Sequence, residues 1–207
     1  NDKRMNYRLS RIAAICVGKF SGCDSEVRSV VTDSRSLSCE LGCRPMFVAM
    51  RGANHDSHDF IAGMQSRGVR AFLVERGVEA SSCTGECGFV QVDNAIEALQ
   101  RLAAYHRAQF RGTVVGITGS NGKTVIKEWI AEELPEGMKY YRSPKSYNSQ
   151  LGVPLSVLML EGDEELAIFE AGISKPGEME RLERIIRPDV AIFTSIGDAQ
   201  QEKYINL

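Results

Sequence analysis

One stretch, residues 113–134, constrains the fold more than any other part of the chain. It begins with a short β-branched and apolar run, residues 113–117, which predicts a buried strand. A glycine-rich turn follows, and Lys123-Thr124 then opens an amphipathic segment that predicts a helix. Glycines allow a tight turn whose backbone N–H groups point at an anion, and a helix N-terminus adds the positive end of its dipole. The stretch therefore predicts a site for the phosphate groups of a nucleotide.

The glycine spacing of this turn differs from that of the common phosphate loop. The pattern is G-x-x-G-x-x-G-K-T from Gly116 to Thr124, whereas G-x-x-x-x-G-K-[ST] would need a glycine in place of Ile117. In such loops the lysine reaches the outer phosphates and the threonine hydroxyl binds Mg²⁺. The predicted ATP-binding residues are Gly119, Ser120, Asn121, Gly122, Lys123 and Thr124. The alternative is a chance G-K-T in an ordinary strand–turn–helix.

Composition and charge argue against several classes of protein. A chain of 207 residues is long enough for one large domain or two smaller ones. Its net charge of −2 gives no electrostatic basis for binding nucleic acid or an anionic membrane. No apolar run is long enough to span a membrane, and the polar N-terminal segment lacks the apolar core of a signal peptide. We therefore expect a cytoplasmic protein that neither inserts into a membrane nor binds nucleic acid.

The six cysteines include two C-x-x-x-C pairs, Cys39 with Cys43 and Cys83 with Cys87, which raise the question of a zinc site. The spacing is not the usual C-x-x-C, and both pairs lie in segments rich in Gly, Ser and Glu. Reduced thiols of a cytosolic protein are the better interpretation.

The first part of the chain predicts a small α/β unit. Residues 18–25 are predicted as a loop, and a long helix capped by Asp93 or Asn94 is predicted to extend to about Phe110. His106 lies on the apolar stripe of that helix and is interpreted as a residue at the edge of the core. Strands are predicted at residues 27–32, 46–50, 70–75 and 88–92. Arg111-Gly112 is the predicted boundary, so that the domains are 1–111 and 112–207.

The second part predicts a parallel sheet, because strands and helices alternate along it. Three strands are evident after the boundary, at residues 113–117, 166–170 and 190–196. We therefore expect an incomplete ATPase domain in a fragment or truncated chain. Ligands of such sheets lie at the carboxyl ends of the strands, where the phosphate loop, Glu170 and residues 195–198 should converge. Glu170 ends an apolar strand beside the loop and is placed to hold Mg²⁺.

Several segments together resemble one protein family. GITGSNGKT, SYNSQLGVPLS, AIFEAGISKPGEM and AIFTSIGDAQQE occur in this order, and TDSRSL and NHDSHDF precede them. They resemble the Mur ligases of peptidoglycan synthesis over about residues 8–205, matching the N-terminal domain and the first half of the central ATPase domain. Within the family the match is to enzymes that join D-alanyl-D-alanine to UDP-N-acetylmuramoyl-tripeptide, in the Bacteroidetes form that is often fused to an alanine racemase.

The resemblance implies that the first domain binds the UDP part of the substrate. The matching substrate-binding positions are Thr32, Asp33, Ser34, Arg35, Asn54, Asp56 and His58, together with Asn148 and Ser149 in the second domain. Taken without the resemblance, Asp33-Ser34-Arg35 is better explained as a strand-end turn in which Asp33 bonds its own backbone. The alternative for residues 148–149 is a plain polar loop. Ser57 stands where the family usually has glycine.

The resemblance also assigns the chemistry of the second domain. It implies that Lys123 and Glu170 are catalytic, and that Thr124 and Glu170 bind the metal. The family pattern N-x-x-x-x-H is replaced by Ser195 and Gln200, at the positions of an adenine-contacting asparagine and a metal-binding histidine. Ser195 is still predicted to bind ATP and Gln200 to bind the metal, although a glutamine oxygen is a weaker ligand for a divalent cation than a histidine nitrogen.

The activity implied is an ATP- and Mg²⁺-dependent ligase that acts through an acyl phosphate and supports cell-wall synthesis, cell shape and cell division. These 207 residues alone are expected to be inactive, because the amine-binding domain of the family is absent from them. One alternative is a Mur ligase that adds a single amino acid. Another is a non-catalytic module that binds the UDP-muramyl peptide, in which the replacements Ser195 and Gln200 reflect the loss of ATPase activity. A plain phosphate-loop kinase would leave TDSR and NHDSHDF unexplained.

Overall fold

The computed structural model describes residues 5–36, 44–52, 56–75, 86–144, 147–172 and 177–195. It divides into two compact units, the first ending at Leu102 and the second beginning at Ala103. The division falls inside a helix, earlier in the chain than the boundary that the sequence predicts. Within the described ranges, no helix combines the length and apolar character that a membrane span requires.

The first unit is built on a mixed sheet. Its strands are β1 (Tyr7–Arg8), β2 (Lys19–Gly22), β3 (Glu26–Val27), β4 (Ser29–Val31), β5 (Pro45–Val48), β6 (Ala71–Glu75) and β7 (Gly88–Val92). Its helices are α1 (Leu9–Cys16), α2 (Ile61–Ser66) and the start of α3 (Ala95–Arg107), with 3₁₀ turns at Ser34–Ser36 and Ser57–Phe60. The main sheet has the order β2-β7-β6-β5-β4, in which only the β2–β7 pair is antiparallel. Strands β1 and β3 form a separate antiparallel pair.

The core of this unit contains an aromatic cluster. Phe72 stacks on Phe89 and meets Phe47 edge to face, and all three are buried. The helix predicted to begin near residue 94 is confirmed as α3, where the Asn94 side chain accepts a hydrogen bond from the Glu97 N–H (3.0 Å). These aromatic residues lie on β5, β6 and β7, so the core of the unit includes this part of the sheet. The strand predicted at residues 27–32 is instead divided between β3 and β4.

The prediction of a loop at residues 18–25 was wrong, because this segment contains β2. The side chains of β2 are mostly exposed, so they carry no apolar alternation that a sequence pattern could reveal. Close backbone pairing defines the strand instead. Gly22 has φ +84°, and a Cβ atom there would lie 2.2 Å from the carbonyl oxygen of Cys87, so glycine is required at this position.

The second unit is a parallel sheet flanked by helices. Its strands are β8 (Thr113–Thr118), β9 (Tyr140–Arg142), β10 (Leu166–Ala171) and β11 (Val190–Phe193), in the order β11-β8-β10-β9. Its helices are α4 (Lys123–Glu132), α5 (Gly152–Val157) and α6 (Glu178–Ile186), together with the end of α3. Every pairing is parallel, as predicted. Strand β10 is buried along its whole length, as expected for an inner strand.

The expectation of three strands in this unit was incomplete, because β9 is a fourth. Strand β9 has only three residues and lies at the edge of the sheet, where two of its side chains are exposed. Its sequence therefore lacks the buried apolar run that marks β8 and β10. The pairing of β8 with β10 brings Ile117 opposite Glu170 and Thr118 opposite Ala171, so their carboxyl ends lie side by side.

Candidate functional site

The glycine-rich turn lies between the end of β8 at Thr118 and the start of α4 at Lys123, as predicted. Gly119 has φ +131°, a backbone conformation that strains other residues. A Cβ atom on Gly119 would lie 2.2 Å from Thr194 Oγ1, so the turn approaches the end of β11 too closely for any side chain. Gly122, with φ +82°, occupies the left-handed region and precedes the helix. The turn therefore requires glycine at both positions.

Hydrogen bonds hold this turn against the end of β11. The Ser120 N–H donates to the Ser195 carbonyl oxygen (2.7 Å) and the Asn121 N–H donates to Ser195 Oγ (3.3 Å). The Thr194 hydroxyl donates to the Asn121 carbonyl oxygen. The structure thus brings Ser195, a predicted ATP-binding residue, to the phosphate loop.

The beginning of α4 offers donors to an anion. The bond from the Ile126 N–H to the Gly122 carbonyl oxygen (3.0 Å) is a first-turn helical bond, so the N–H groups of residues 123–125 precede the regular ladder. Lys123 folds back over the turn, and its Nζ donates to the Gly119 carbonyl oxygen at 2.6 Å. Free helix N–H groups and an ammonium group on one side of a glycine turn form a phosphate-binding arrangement.

The metal-binding prediction rests on Thr124 and Glu170, which the structure brings together. Thr124 Oγ1 donates to Glu170 Oε2 at 3.1 Å, and the Glu170 side chain is 2% exposed at the end of β10. The other oxygen, Oε1, is buried and lies 2.7 Å from Nζ of Lys127, in the geometry of an ion pair rather than of a hydrogen bond. A hydroxyl beside a buried carboxylate fits the oxygen ligands that Mg²⁺ prefers.

Further side chains of the types that commonly bind metals do not form a cluster with this carboxylate among the described residues. No cluster of three His, Cys, Asp or Glu side chains suited to a metal occurs within the described ranges of the chain. Mg²⁺ bound to one or two protein groups commonly completes its shell with water and nucleotide phosphates, and the pair fits that pattern. Cys16, Cys23 and Cys87 are thiols rather than parts of disulfides, whereas Cys39, Cys43 and Cys83 lie outside the described residues.

The sequence-based prediction missed Lys127, a fully buried lysine on α4. A lysine in an amphipathic helix normally faces solvent, so its residue type gave no indication of a buried role. Its spacing gave an indication, because Lys127 follows Lys123 by four residues and therefore lies on the same helix face.

Ser143 and Asn148 are each hydrogen-bonded to the end of β10 or to the residue that follows it. Ser143 Oγ accepts from the Glu170 N–H (3.3 Å), and the Asn148 carbonyl oxygen accepts from the Gly172 N–H (2.7 Å). Asn148 is therefore held at the end of this strand. The Ser149 hydroxyl accepts from the N–H of Gly152 (3.0 Å), the first residue of α5, so it already has a partner within the unit.

In the first unit, Asp33 and Arg35 form an exposed ion pair. Arg35 Nε lies 3.0 Å from Asp33 Oδ1 and Nη2 lies 2.9 Å from Oδ2, while the Arg35 N–H donates to Oδ1 at 2.9 Å. The strand-end turn that the sequence leaves open is therefore present. The hydrogen bonds from the Arg35 side chain and backbone lower the pKa of Asp33 to about 2. Thr32 and Ser34 lie beside this pair and are half-buried.

Asp56 and His58 form a second, more buried pair. Asp56 Oδ1 accepts from the His58 N–H (3.0 Å) and contacts Nδ1 of the ring, while Nε2 accepts from the Glu75 N–H (3.2 Å). These contacts assign the tautomer that is protonated on Nδ1. Two hydrogen bonds from His58 lower the pKa of Asp56, and the bond from the backbone N–H has the larger effect. Both ring nitrogens are thus engaged within the unit, where they fix the turn to β6.

Ser57, where the resemblance expects glycine, has a local role. Its hydroxyl accepts from the Met50 N–H (2.6 Å) and donates to the Met50 carbonyl oxygen (2.9 Å), so it ties residue 57 to residue 50. The predicted residues Asn54 and Gln200 lie outside the described residues.

Comparison with known proteins identifies relatives of both units. Residues 117–206 match the model of the Mur ligase middle domain. The UDP-N-acetylmuramoyl-tripeptide–D-alanyl-D-alanine ligase of Bacillus subtilis is 32% identical over 176 residues, covering 85% of this chain and 37% of the relative. The corresponding ligase of Borreliella burgdorferi is 33% identical over 199 residues, covering 91% of this chain and 43% of the relative.

Solved structures give the same assignment. A crystal structure of MurF from Acinetobacter baumannii matches with a TM-score of 0.83 and 28% identity, over 96% of this chain and 43% of that one. MurF ligase from Thermotoga maritima in complex with ADP matches with a TM-score of 0.71 and 32% identity, over 84% of this chain and 38% of that one. The chain spans less than half the length of these relatives. In sequence and in fold, the chain belongs to the Mur ligase family.

Proposed function

We propose that this chain is part of an ATP-dependent ligase that joins D-alanyl-D-alanine to UDP-N-acetylmuramoyl-tripeptide. The observation that carries the proposal is the contact between Thr124 and Glu170 beside a strained glycine turn, at the adjoining ends of β8 and β10. The relatives named for this ligase, and the relative that was solved with ADP, support the same function.

The second unit would bind the nucleotide. The turn residues 119–122 and the first N–H groups of α4 would face its phosphates, Lys123 would move from the Gly119 carbonyl oxygen to a phosphate oxygen, and Ser195 would close the turn. Thr124 and Glu170 would hold Mg²⁺, with Gln200 as a further ligand, and the bound ion would neutralise charge on the transferred phosphoryl group.

The first unit would bind the UDP-muramyl peptide. Arg35 is 88% exposed in its side chain, so its guanidinium group can exchange part of its contact with Asp33 for a diphosphate. Thr32, Ser34 and Asn54 would complete the contacts, and Asp56 with His58 would hold the neighbouring turn in place. Asn148 and Ser149 of the second unit would contact phosphate or substrate at the end of β10.

The proposed reaction has two steps. The terminal carboxylate of the tripeptide attacks the γ-phosphorus of ATP, so that an acyl phosphate forms and ADP leaves. The amine of D-alanyl-D-alanine then attacks the acyl carbon, an amide bond forms, and inorganic phosphate and a proton leave. Lys123 and the N–H groups at the start of α4 would contribute by positioning the phosphates and by stabilising the charge that develops on them.

The proposal includes the setting of this reaction. It assigns residues 1–111 to substrate binding and residues 112–207 to ATP binding, in a cytoplasmic protein that serves cell-wall synthesis, cell shape and cell division. A fused alanine racemase in the parent protein belongs to the same proposal, as an extension of the sequence resemblance.

Calorimetric titration of the 207-residue chain tests the proposal. We expect ATP with Mg²⁺ to bind, and Lys123→Ala to weaken it about 10- to 100-fold, since a hydrogen bond to a charged group contributes about 1.5–3 kcal/mol. The exposed lysine of the same unit, Lys139, gives the control variant Lys139→Ala, which should bind like the unaltered chain. UDP-N-acetylmuramoyl-tripeptide should bind to the unaltered chain and fail to bind Arg35→Ala.

The other outcomes separate the alternatives. Binding of the UDP ligand without ATP would favour a non-catalytic binding module, and binding of neither would overturn the proposal for this chain. Phosphate release by the natural gene product that carries these residues, dependent on D-alanyl-D-alanine rather than on a single amino acid, would distinguish this ligase from other Mur ligases.

A further inference from the structure

Lys127 is an unusual residue for the position that it occupies. Its side chain is 0% exposed, and lysines are almost never fully buried unless they are paired. Taking an ammonium group out of water is costly, so the chain must provide compensating contacts. Those contacts lie at the candidate site.

The ammonium group reaches two elements of the site and one residue of its own helix. Nζ lies 2.7 Å from Glu170 Oε1 and donates to the Ser143 carbonyl oxygen at 2.7 Å. A second acidic group, Oε1 of the half-buried Glu128, lies 3.7 Å from Nζ. Lys127 therefore joins α4 to the ends of β10 and β9.

These contacts fix the orientation of the Glu170 carboxylate. With Oε1 at Lys127, the other oxygen faces the Thr124 hydroxyl, 3.1 Å away. Ser143 is fixed by the same lysine and in turn accepts from the Glu170 N–H. A carboxylate with both oxygens committed cannot rotate without breaking a contact to a buried charge.

From this arrangement we infer that Lys127 is a positioning residue, which holds Glu170 so that Oε2 and the Thr124 hydroxyl present one preformed pair of oxygens to a divalent cation. The inference rests on the proposed function, since it needs a Mg²⁺-dependent nucleotide site. Outer-shell partners of metal ligands typically change metal affinity 10- to 100-fold when they are removed. A purely structural lysine would instead weaken nucleotide binding whether or not Mg²⁺ is present.

The test is calorimetric titration of the 207-residue chain with ATP across a series of MgCl₂ concentrations and in EDTA. We expect Lys127→Met, which keeps most of the side-chain volume, to raise the Mg²⁺ concentration for half-maximal enhancement of ATP binding about 10- to 100-fold. ATP binding in EDTA should change far less. Glu128→Gln, which alters the other carboxylate near the same ammonium group, should behave like the unaltered chain.

A double variant identifies the route of the effect. If Lys127 acts through Glu170, then Lys127→Met should add no further increase to the half-maximal Mg²⁺ concentration in a Glu170→Gln chain. This double variant also removes both buried charges, so it leaves neither unpaired. Should Lys127→Met alone fail to fold, Lys127→Arg replaces it, with a smaller increase expected because the guanidinium group keeps the charge in a different shape.

Three results would overturn the inference. An unchanged Mg²⁺ dependence in the Lys127 variants, or an equal loss of ATP binding with and without Mg²⁺, would do so while leaving the proposed function intact. A chain that binds ATP without any Mg²⁺ dependence before substitution would overturn both the metal part of the proposed function and the inference built on it.

Discussion

Two ion pairs of this chain have similar distances between their charged groups but differ in exposure to solvent. In the second unit, Lys127 and Glu170 lie 2.7 Å apart, and their side chains are 0% and 2% exposed. In the first unit, Arg35 and Asp33 lie 2.9 Å apart, and their side chains are 88% and 41% exposed. Distance alone would give the two pairs the same importance. Their solvation gives them different roles, because water screens the exposed pair and cannot replace either partner of the buried one.

The difference bears on function in each unit. The buried pair has no solvent to exchange with, so it fixes a carboxylate before any ligand arrives. The exposed pair is held only by a turn two residues long, and Arg35 can turn toward an incoming anion at little cost. A preformed metal site and an adaptable anion site are thus consistent with the proposed functions of the two units.

The largest effect on stability is expected from a substitution that breaks the buried pair. Lys127→Met should lower the free energy of unfolding by about 3–5 kcal/mol, because it leaves the Glu170 carboxylate buried without its cation. Urea denaturation followed by circular dichroism measures this change. Lys139→Met, which removes the lysine of the exposed pair Lys139–Asp163, is the matched control and should cause no measurable change. Equal effects of the two substitutions would show that burial does not distinguish the pairs.

A second contrast concerns glycines of the two units. Gly119→Ala should destabilise the chain by about 1–3 kcal/mol, the usual cost of a residue in a disfavoured backbone region, and should displace the turn from Thr194. Gly63→Ala should stabilise it by about 0.5–1 kcal/mol, because Gly63 lies inside α2 with open space around it. Thermal unfolding measures both changes, and a melting temperature that falls in Gly63→Ala would contradict this account.

The sequence predicted those parts of the site that follow from backbone topology. The convergence of Thr124 and Glu170 required only that the neighbouring strands be parallel, since their carboxyl ends then adjoin. The spacing of Lys127 from Lys123 indicates a shared helix face, but its burial could not be predicted because it depends on a carboxylate from a distant strand. The contact of Ser57 with Met50 likewise depends on a turn that only the folded backbone closes.

A third prediction concerns the pH dependence of stability that a buried histidine of the second unit should cause. Burial lowers the pKa of His106, whose Nε2 lies 3.0 Å from the Leu160 carbonyl oxygen. The unfolded chain therefore binds a proton more readily than the folded one, so acidification through the ordinary histidine pKa of about 6.5 should lower the free energy of unfolding. His106→Gln keeps an N–H donor without the titration. It should show a smaller decline between about pH 7 and pH 5 in urea denaturation, and an equal decline would refute the assignment.

The smallest effect on stability should come from the exposed pair. Arg35→Ala should raise the pKa of Asp33 from about 2 part of the way toward its ordinary value of 3.8, because the side-chain bonds are lost while the backbone N–H bond to Oδ1 remains. Since the folded pKa is the depressed one, any contribution of the pair is present above pH 3.8 and is lost as the pH falls toward about 2.

Carboxyl-resolved NMR titration measures this shift, and Arg28→Ala, which removes an exposed arginine paired with Glu26, is the control that should leave Asp33 unchanged. At neutral pH, Arg35→Ala should leave urea denaturation unaltered while abolishing binding of the UDP ligand. A loss of stability comparable to that of Lys127→Met would mean that the exposed pair supports the fold, and the contrast between an adaptable and a preformed site would fail. Lost ligand binding with unaltered stability would instead confine the role of Arg35 to recognition, which is what an arginine free to leave its partner can provide.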